Sequence, residues 1–139
     1  MTKQRDAALE TLLEAAASAA EHSYSPYSNF KVGAALLLTS GAIVTGTNVE
    51  NVSYGLTICA ERSAVFQAIA RTKGPLRIRA ALVYTPTQTP TAPCGACRQV
   101  LNEFGPDAEV FSVCDGPGTI ATILKDLLPQ AFGPHNLNP

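Results

Sequence analysis

The sequence predicts an α/β fold in which helices cover both faces of one mixed β-sheet. Segments with apolar residues at helical spacing alternate with short apolar runs that are long enough for strands. Clusters of turn-forming residues separate most of these segments. The length of 139 residues is about that of one domain. We therefore expect a single domain that spans residues 1–139.

The first part of the chain predicts a helix followed by a β-hairpin. Thr2 to Glu21 carries leucines and alanines at helical spacing, with acidic residues early in the segment. Lys31 to Thr39 is an apolar run that is long enough for a strand. Ala42 to Glu50 supplies the second strand, and Ser40-Gly41 between the two runs favours a tight turn.

The next segment, Cys59 to Thr72, predicts a second helix. Its apolar residues recur at helical spacing, and Lys73-Gly74-Pro75 after it is typical of a helix end. We expect Val65, Phe66 and Ile69 to face the core.

The last part of the chain continues the alternation of strands and helices. Arg79 to Thr85 has an uninterrupted apolar middle, as a fully buried strand has. Cys94 to Phe104 predicts a helix that ends at Gly105-Pro106, and Ala108 to Val113 predicts a strand. Ile120 to Leu128 is either a last helix or a short strand that runs into one.

The charge content limits the classes of partner. Lys, Arg, Asp and Glu make up 15% of the chain, whereas soluble domains usually contain about 25%. The net charge is −1 and no segment is strongly basic, which argues against nucleic acid as a partner. No run approaches the roughly 18 consecutive apolar residues of a membrane span. We expect a cytoplasmic protein that buries part of its surface by self-association.

Three cysteines lie at the starts of two predicted helices, and they predict a metal site. Cys94 and Cys97 are three residues apart, so their thiols share one helix face, and Cys59 begins the other helix. If the two helix N-termini point at one another, the three thiolates converge and first-turn N–H groups can donate to the sulfurs. Three sulfurs suit Zn²⁺. We expect one zinc ion per subunit.

The number of ligands separates a catalytic zinc site from a structural one, because catalytic sites keep three protein ligands and an open fourth position. Glu61, two residues after Cys59, is placed to act beside the metal as a base and not as a ligand. Such a carboxylate can take a proton from a zinc-bound water and deliver it to a substrate. Arg62 and Arg98 can each donate to the thiolates, and Arg62 is the favoured partner because it is nearer to Glu61.

Two other interpretations of the cysteines stay open on these residues. Cys94 and Cys97 alone match a thioredoxin-like dithiol. Cys114 could also be the fourth ligand of a structural zinc site, although a buried cysteine at a strand end is more often a small apolar residue. Cys59 and Glu61 favour the catalytic site, because a redox dithiol needs neither.

Two motifs, Cys59-Ala60-Glu61-Arg62 and Pro93-Cys94-Gly95-Ala96-Cys97-Arg98-Gln99, resemble the zinc-dependent cytidine deaminase family. Segments 24–35, 48–51, 127–129 and 131–134 also resemble its small homotetrameric, nucleoside-acting branch. The resemblance covers nearly the whole chain and implies a three-layer α/β/α sandwich with a central mixed five-stranded sheet. The implied activity is deamination of cytidine and 2′-deoxycytidine to uridine and 2′-deoxyuridine, with release of ammonia, in pyrimidine salvage.

The resemblance also implies a role for each site residue. Cys59, Cys94 and Cys97 hold zinc, while Glu61 moves a proton to N3 of the pyrimidine and then to the departing amine. The implied enzyme is a homotetramer with its sites at subunit interfaces. The implied substrate contacts are Phe30 and the Ala60 backbone on the base, Asn48 and Glu50 on the sugar hydroxyls, and Tyr54 and Phe132 from a neighbouring subunit.

Alternatives remain inside and outside the enzyme class. A deaminase for a cytosine-containing antibiotic of the blasticidin S type shares the zinc motifs, although segment 48–51 favours an ordinary nucleoside. A structural zinc or redox module without turnover is the alternative outside enzymes. On composition alone, Asn48 and Glu50 are ordinary turn residues, and Phe30 and Phe132 are core residues.

Overall fold

The computed structural model describes residues 3–137, with side chains from Asp6 onward, and consists of one five-stranded sheet between helices. Within that range no helix is both long enough and apolar enough to cross a membrane. Short 3₁₀ turns lie at Tyr54–Leu56 and Pro134–Asn136. In chain order the helices and strands are α1 (Lys3–Ala20), β1 (Gly33–Leu38), β2 (Ile43–Thr47), α2 (Ala60–Arg71), β3 (Ile78–Thr85), α3 (Gly95–Phe104), β4 (Glu109–Cys114), β5 (Thr119–Ile123) and α4 (Leu124–Leu127).

The sheet is mixed, with the strand order β2-β1-β3-β4-β5. Strands β3 and β4 are parallel, and every other neighbouring pair is antiparallel. Helix α3 connects the parallel pair, as a crossover between parallel strands requires. The central strand β3 pairs Leu82 with Ala35 of β1 and with Phe111 of β4.

Helix α1 covers one face of the sheet. Its Leu12 and Ala16 are almost fully buried, and they pack in one apolar cluster with Leu82 and Phe111. The helix lies close to the sheet because β1 begins with Gly33, where an added Cβ would lie 1.8 Å from the Ala16 carbonyl oxygen. Burial of these side chains is the main force that holds α1 in place.

Helices α2, α3 and α4 cover the other face. The alanine face of α2 lies directly on β2, where a Cβ added to Gly46 would lie 2.3 Å from the Ala64 backbone nitrogen. Leu101 of α3 and Leu124 of α4 belong to the same buried cluster. Helices on both faces confirm the predicted three-layer α/β/α arrangement around a mixed five-stranded sheet.

The predicted inward face of α2 is wrong in part. Val65 is buried, but Phe66 and Ile69 are 52% and 48% exposed. The side that faces the sheet is formed by Ala60, Ala64 and Ala68, because only small side chains fit the close approach to Gly46. Phe66 and Ile69 follow Ala64 by two and five residues, which places them on the far side of the helix.

Two predicted boundaries also change. The second strand, expected to reach Glu50, ends at Thr47, and beyond it Val49 forms isolated bridges to Tyr24 and Ile58. The segment Ile120 to Leu128 is a strand that runs into a four-residue helix, which confirms the second of the two alternatives given for it. The strand forms at this edge because it pairs along β4.

Candidate active site

Three thiols meet where α2 and α3 begin. Cys59 is the N-cap residue of α2, Cys94 is the N-cap residue of α3, and Cys97 lies in the first turns of α3. The Cys59 and Cys94 sulfurs are 3.9 Å apart, and the three sulfurs all lie within 4.8 Å of one another. Tetrahedral zinc with Zn–S bonds of about 2.3 Å separates its sulfurs by about 3.8 Å. The cluster therefore fits one zinc ion per chain.

The local backbone explains this convergence. Cys59 and Cys94 both have extended dihedrals, and neither side chain caps its own helix. Their carbonyl oxygens instead accept the first helical hydrogen bonds, from Ser63 N–H and Arg98 N–H, each at 3.0 Å. Both thiols are thus free to point at the metal position, where the positive ends of two helix dipoles favour thiolates.

Neighbouring donors favour a thiolate at Cys59. The Cys97 thiol donates to it, as do Cys94 and the Arg62 guanidinium, and together they lower the Cys59 pKa to about 5 against the effect of burial. The Arg62 Nη2 atom lies 3.5 Å from the Cys59 sulfur. The hydrogen bond to Cys59 and burial raise the pKa of Cys97. The shared proton thus stabilises the thiolate of Cys59 at the expense of a thiolate at Cys97. A divalent cation in place of that proton can stabilise all three thiolates.

The described hydrogen bonds of the Arg98 guanidinium go to backbone carbonyl oxygens. Its Nε donates to the Pro93 carbonyl oxygen at 2.8 Å, and its Nη1 donates to the Leu127 carbonyl oxygen at 3.0 Å. It therefore links the chain just before Cys94 to the C-terminal segment.

Glu61 lies beside the cluster at the end of a cavity of about 480 Å³. It is only 4% exposed, and burial is the largest cause of a raised pKa for its carboxyl group. A carboxyl group of this kind gives and takes protons more readily near neutral pH than an exposed one. The lining residues within the described range include no Lys, Arg or His: Ser28, Phe30, Val32, Asn48, Glu50, Thr57, Cys59, Ala60, Glu61, Val83, Thr91, Ala92 and Cys94.

Another part of the cavity lining is built by two side chains that hold a loop. Asn48 is buried; its Oδ1 accepts the Val32 N–H at 3.0 Å and the Ser23 hydroxyl at 2.5 Å, and its Nδ2 donates to the Phe30 carbonyl oxygen at 2.7 Å. Glu50 accepts hydrogen bonds from the same loop. These two residues thus fix the segment that carries the Phe30 ring.

Two of the residues predicted to contact substrate lie outside this cavity. Tyr54 is 73% exposed and lines a smaller adjoining cavity of about 230 Å³. Phe132 is 56% exposed, and its carbonyl oxygen accepts a hydrogen bond from the Gln99 side chain at 2.9 Å. The remaining predicted substrate residues, Phe30, Asn48, Glu50 and Ala60, all line the main cavity together with Glu61 and two of the cysteines.

The sequence interpretation missed several cavity residues. Ser28 and Thr57 line both the main and the adjoining cavity, and Thr91 and Ala92 line the main one. Their only signal in the sequence is their position within or next to the motifs that carry Phe30, Cys59 and Cys94.

Cys114 is not a fourth ligand. Its thiol lies 3.7 Å from the Gly116 carbonyl oxygen and 3.4 Å from that of Gly118, in the turn between β4 and β5. Within residues 3–137, the cysteine group suited to a metal contains Cys59, Cys94 and Cys97. A closed four-cysteine site is therefore not favoured in the described part of the chain.

Comparison with known proteins agrees with this geometry. Residues 6–113 match the family model described as the cytidine and deoxycytidylate deaminase zinc-binding region. The chain belongs to this family. It is therefore a zinc-binding deaminase, and the structural zinc and redox alternatives are not favoured.

Individual relatives cover nearly the full chain. A cytidine deaminase of Halalkalibacterium halodurans is 44% identical over 131 residues, which are 93% of this chain and 97% of the relative. The crystal structure of a cytidine deaminase from Burkholderia pseudomallei is 48% identical, with a TM-score of 0.84 over 95% of this chain and all of that one. A structure of the Mycobacterium tuberculosis cytidine deaminase is 44% identical with a TM-score of 0.75, over 90% of this chain and 97% of that one.

Proposed function

We propose that the protein hydrolyses cytidine and 2′-deoxycytidine to uridine and 2′-deoxyuridine, with release of ammonia. The observation that carries this proposal is a buried carboxyl group, Glu61, which lies beside three convergent thiols and lines a nucleoside-sized cavity. The relatives named cytidine deaminase support the choice of substrate over an antibiotic.

The acid–base chemistry belongs to Glu61. Zinc bound to Cys59, Cys94 and Cys97 would supply a Lewis acid that activates water for attack on C4 of the pyrimidine. The Glu61 carboxylate takes a proton from the attacking water and gives it to N3, so that water adds across the C4–N3 bond. Glu61 then moves the remaining hydroxyl proton to the amino group, the C4–N bond breaks, and ammonia leaves as the C4 carbonyl forms.

The other lining residues hold the nucleoside for this reaction. Phe30 packs against the base and the Ala60 backbone contacts its edge. Asn48 and Glu50 hydrogen-bond the sugar hydroxyls, which fixes the distance between the sugar and C4. Arg62 offsets the negative charge of three thiolates on a dication through its hydrogen bond to Cys59.

The charge of the cavity supports a nucleoside over a nucleotide. Two carboxyl groups, those of Glu50 and Glu61, line it, and its described lining has no cationic side chain. A 5′-phosphate would therefore meet repulsion without a compensating partner.

Turnover of the purified zinc protein tests the proposal. Cytidine, 2′-deoxycytidine and deoxycytidylate are offered separately, and the cytosine-to-uracil change in ultraviolet absorbance is followed with ammonia release. We expect one ammonia per uracil formed from both nucleosides and little reaction with deoxycytidylate. Absence of turnover with zinc bound would end the proposal.

We further propose that the enzyme is a cytoplasmic homotetramer in which Tyr54 and Phe132 reach a neighbouring subunit's cavity. Both side chains are exposed in the single chain, as are Phe66 and Ile69 on the outer side of α2. Apolar side chains of this size favour burial between subunits. The low share of charged residues agrees with a surface that is partly covered. A reducing compartment keeps the thiols available for zinc.

Mixed subunits test the contribution of Phe132. A Phe132→Ala chain and a Glu61→Gln chain, each with its own tag, are co-expressed and the hybrids are purified on both tags. If Phe132 completes the neighbour's cavity, hybrids contain some sites with both native residues, and their activity exceeds the sum of the two parents. Activity that never exceeds this sum would show that Phe132 acts within its own subunit.

A further inference from the structure

A single carboxylate holds the turn that carries Phe30. Glu50 Oε1 accepts the backbone N–H of Tyr27 at 2.9 Å and that of Ser28 at 3.2 Å. Glu50 Oε2 accepts a hydrogen bond from the Ser28 hydroxyl. The same hydroxyl oxygen accepts the Phe30 backbone N–H at 3.0 Å. Ser28 thus joins the group proposed for the sugar to the residue proposed for the base.

The hydroxyl of Ser28 acts as a donor and as an acceptor at once. It has one proton, which goes to Glu50, so its bond to Phe30 must use an oxygen lone pair. Between these residues Asn29 adopts a left-handed backbone with φ of 57°, a conformation that asparagine tolerates better than most residues. The Ser28 side chain spans this left-handed residue and thereby fixes the direction in which the chain enters Phe30.

The same contact prepares Glu50 for a ligand. The Ser28 hydroxyl is the main reason that the pKa of Glu50 lies below its usual value, and the two backbone N–H groups add to the effect. Oε1 already has two donors and Oε2 has one, so a lone pair on Oε2 remains. Glu50 therefore stays ionised and keeps an acceptor position for a substrate hydroxyl.

We propose that Ser28 is a positioning residue for nucleoside binding. Its hydroxyl sets the spacing between the Glu50 carboxylate and the Phe30 ring, so that the sugar and the base are held at once. Ser28 lines both the main cavity and the adjoining one, and its hydroxyl bonds to Glu50 and to the Phe30 backbone. Its role rests on the proposed function and concerns the affinity for the substrate, not the proton transfers.

Steady-state kinetics with cytidine give the first test. Ser28→Ala removes a hydrogen bond to a charged group and one to a backbone N–H, so we expect KM to rise about 10- to 100-fold. We expect kcat to stay within about threefold, because the acid–base machinery is untouched. Ser28→Thr keeps the hydroxyl and should restore most of the affinity. A Ser28→Ala variant with the KM of the parent would overturn the proposal.

Ser40→Ala is the matched control. Like Ser28, Ser40 is exposed, and its hydroxyl oxygen accepts a backbone N–H two residues later, from Ala42 at 3.4 Å. It lies in the turn between β1 and β2 and does not line the cavity. We expect its KM to equal that of the parent. If both variants lost the same affinity, removal of a serine hydroxyl from any turn would weaken binding. That result would contradict a specific role for Ser28.

A double-variant cycle and a pH series test whether Ser28 acts through Glu50. In a Glu50→Gln background, Ser28→Ala should change KM much less than it does in the parent. Without the Ser28 donor the pKa of Glu50 rises toward its ordinary value. As the pH is lowered, the KM of Ser28→Ala should therefore begin to increase at a higher pH than the KM of the parent does. If the effects of the two substitutions on KM are additive and the pH profiles of the parent and Ser28→Ala coincide, Ser28 does not act through Glu50.

Binding of uridine, measured by calorimetry, separates this proposal from the proposed reaction. If the parent binds uridine and Ser28→Ala weakens binding about tenfold or more, Ser28 has the assigned role even if no deamination is found. If the parent deaminates cytidine and Ser28→Ala binds uridine as tightly as the parent, the reaction stands and the role of Ser28 is wrong.

Discussion

The two ends of the main cavity are built in different ways. At the metal end, formed by Cys59, Glu61 and Cys94 with Cys97 behind them, each side chain is placed by the start of a helix. At the loop end, formed by Ser28, Phe30, Asn48 and Glu50, hydrogen bonds join residues that are 16 to 25 positions apart in the chain. The metal end depends on local backbone geometry, whereas the loop end depends on the docking of two distant segments.

Each end contains both buried and exposed side chains, with Cys97 and Asn48 buried and Cys94 exposed. Glu61 is 4% exposed at the metal end, and Phe30 is 39% exposed at the loop end. A single chain therefore shields the Glu61 carboxyl group from water, but it leaves the Cys94 thiol and the Phe30 ring partly open to solvent. Substitutions should accordingly divide into those that abolish turnover and those that weaken binding or stability.

Loss of a thiol at the metal end has the largest expected effect. Cys97→Ala removes one of the three sulfurs, and we expect zinc content well below one per chain and no measurable turnover. Cys114→Ala is the control, since that cysteine is also buried but lies against Gly116 and Gly118. Metal analysis of both proteins decides the outcome. Equal zinc content in the two variants would contradict the assignment of Cys97, and not Cys114, as a zinc ligand.

The two arginines that follow the ligands have different partners. Arg62 donates to Cys59, so Arg62→Ala should lower zinc affinity or kcat by roughly 10- to 100-fold. Arg98 holds the Pro93 and Leu127 carbonyl oxygens, so Arg98→Ala should lower thermal stability and retain zinc. Competition with a chelator measures zinc affinity for both. If Arg98→Ala released zinc as readily as Arg62→Ala does, the different roles assigned to the two arginines would be wrong.

Asn48 tests the loop end and has the smallest expected effect. Asn48→Ala leaves the buried Val32 N–H without its partner, which should reduce the free energy of unfolding by about 1–3 kcal/mol. We expect KM to rise more than kcat falls. Asn51→Ala is the control, because Asn51 is exposed and its side chain accepts one bond, from Ser53 N–H. Urea unfolding measures the free energy of unfolding of both variants. Equal losses in the two variants would contradict the role assigned to Asn48.

The metal end could be predicted from the sequence because its geometry is local. Cys94 and Cys97 share a helix face by their spacing, and the start of a helix limits where Cys59 and Glu61 can point. The main elements of the fold were predictable for the same reason, since apolar periodicity and turn residues mark each helix and strand. Patterns within a few residues carry this information.

The rest depends on contacts between distant segments. Phe66 and Ile69 match the apolar spacing of an inward helix face, but the close approach of α2 to Gly46 admits only alanines there. The bonds between Asn48, Glu50 and the Phe30 loop depend on the pairing of β1 with β2, which brings these distant segments side by side. The family resemblance implies roles for Phe30 and Glu50, but nothing in their spacing identifies Ser28 as the link between these two residues.

Glu61 is proposed to carry the proton transfers beside a zinc ion held by three cysteines. Parallel measurement of zinc content and cytidine turnover in the parent and in Glu61→Gln tests it most directly. The account predicts one zinc per chain in both proteins and a loss in kcat of about 10²- to 10⁴-fold or more in the variant, as expected for removal of a general acid–base group. A zinc-loaded Glu61→Gln protein with nearly the kcat of the parent would contradict it.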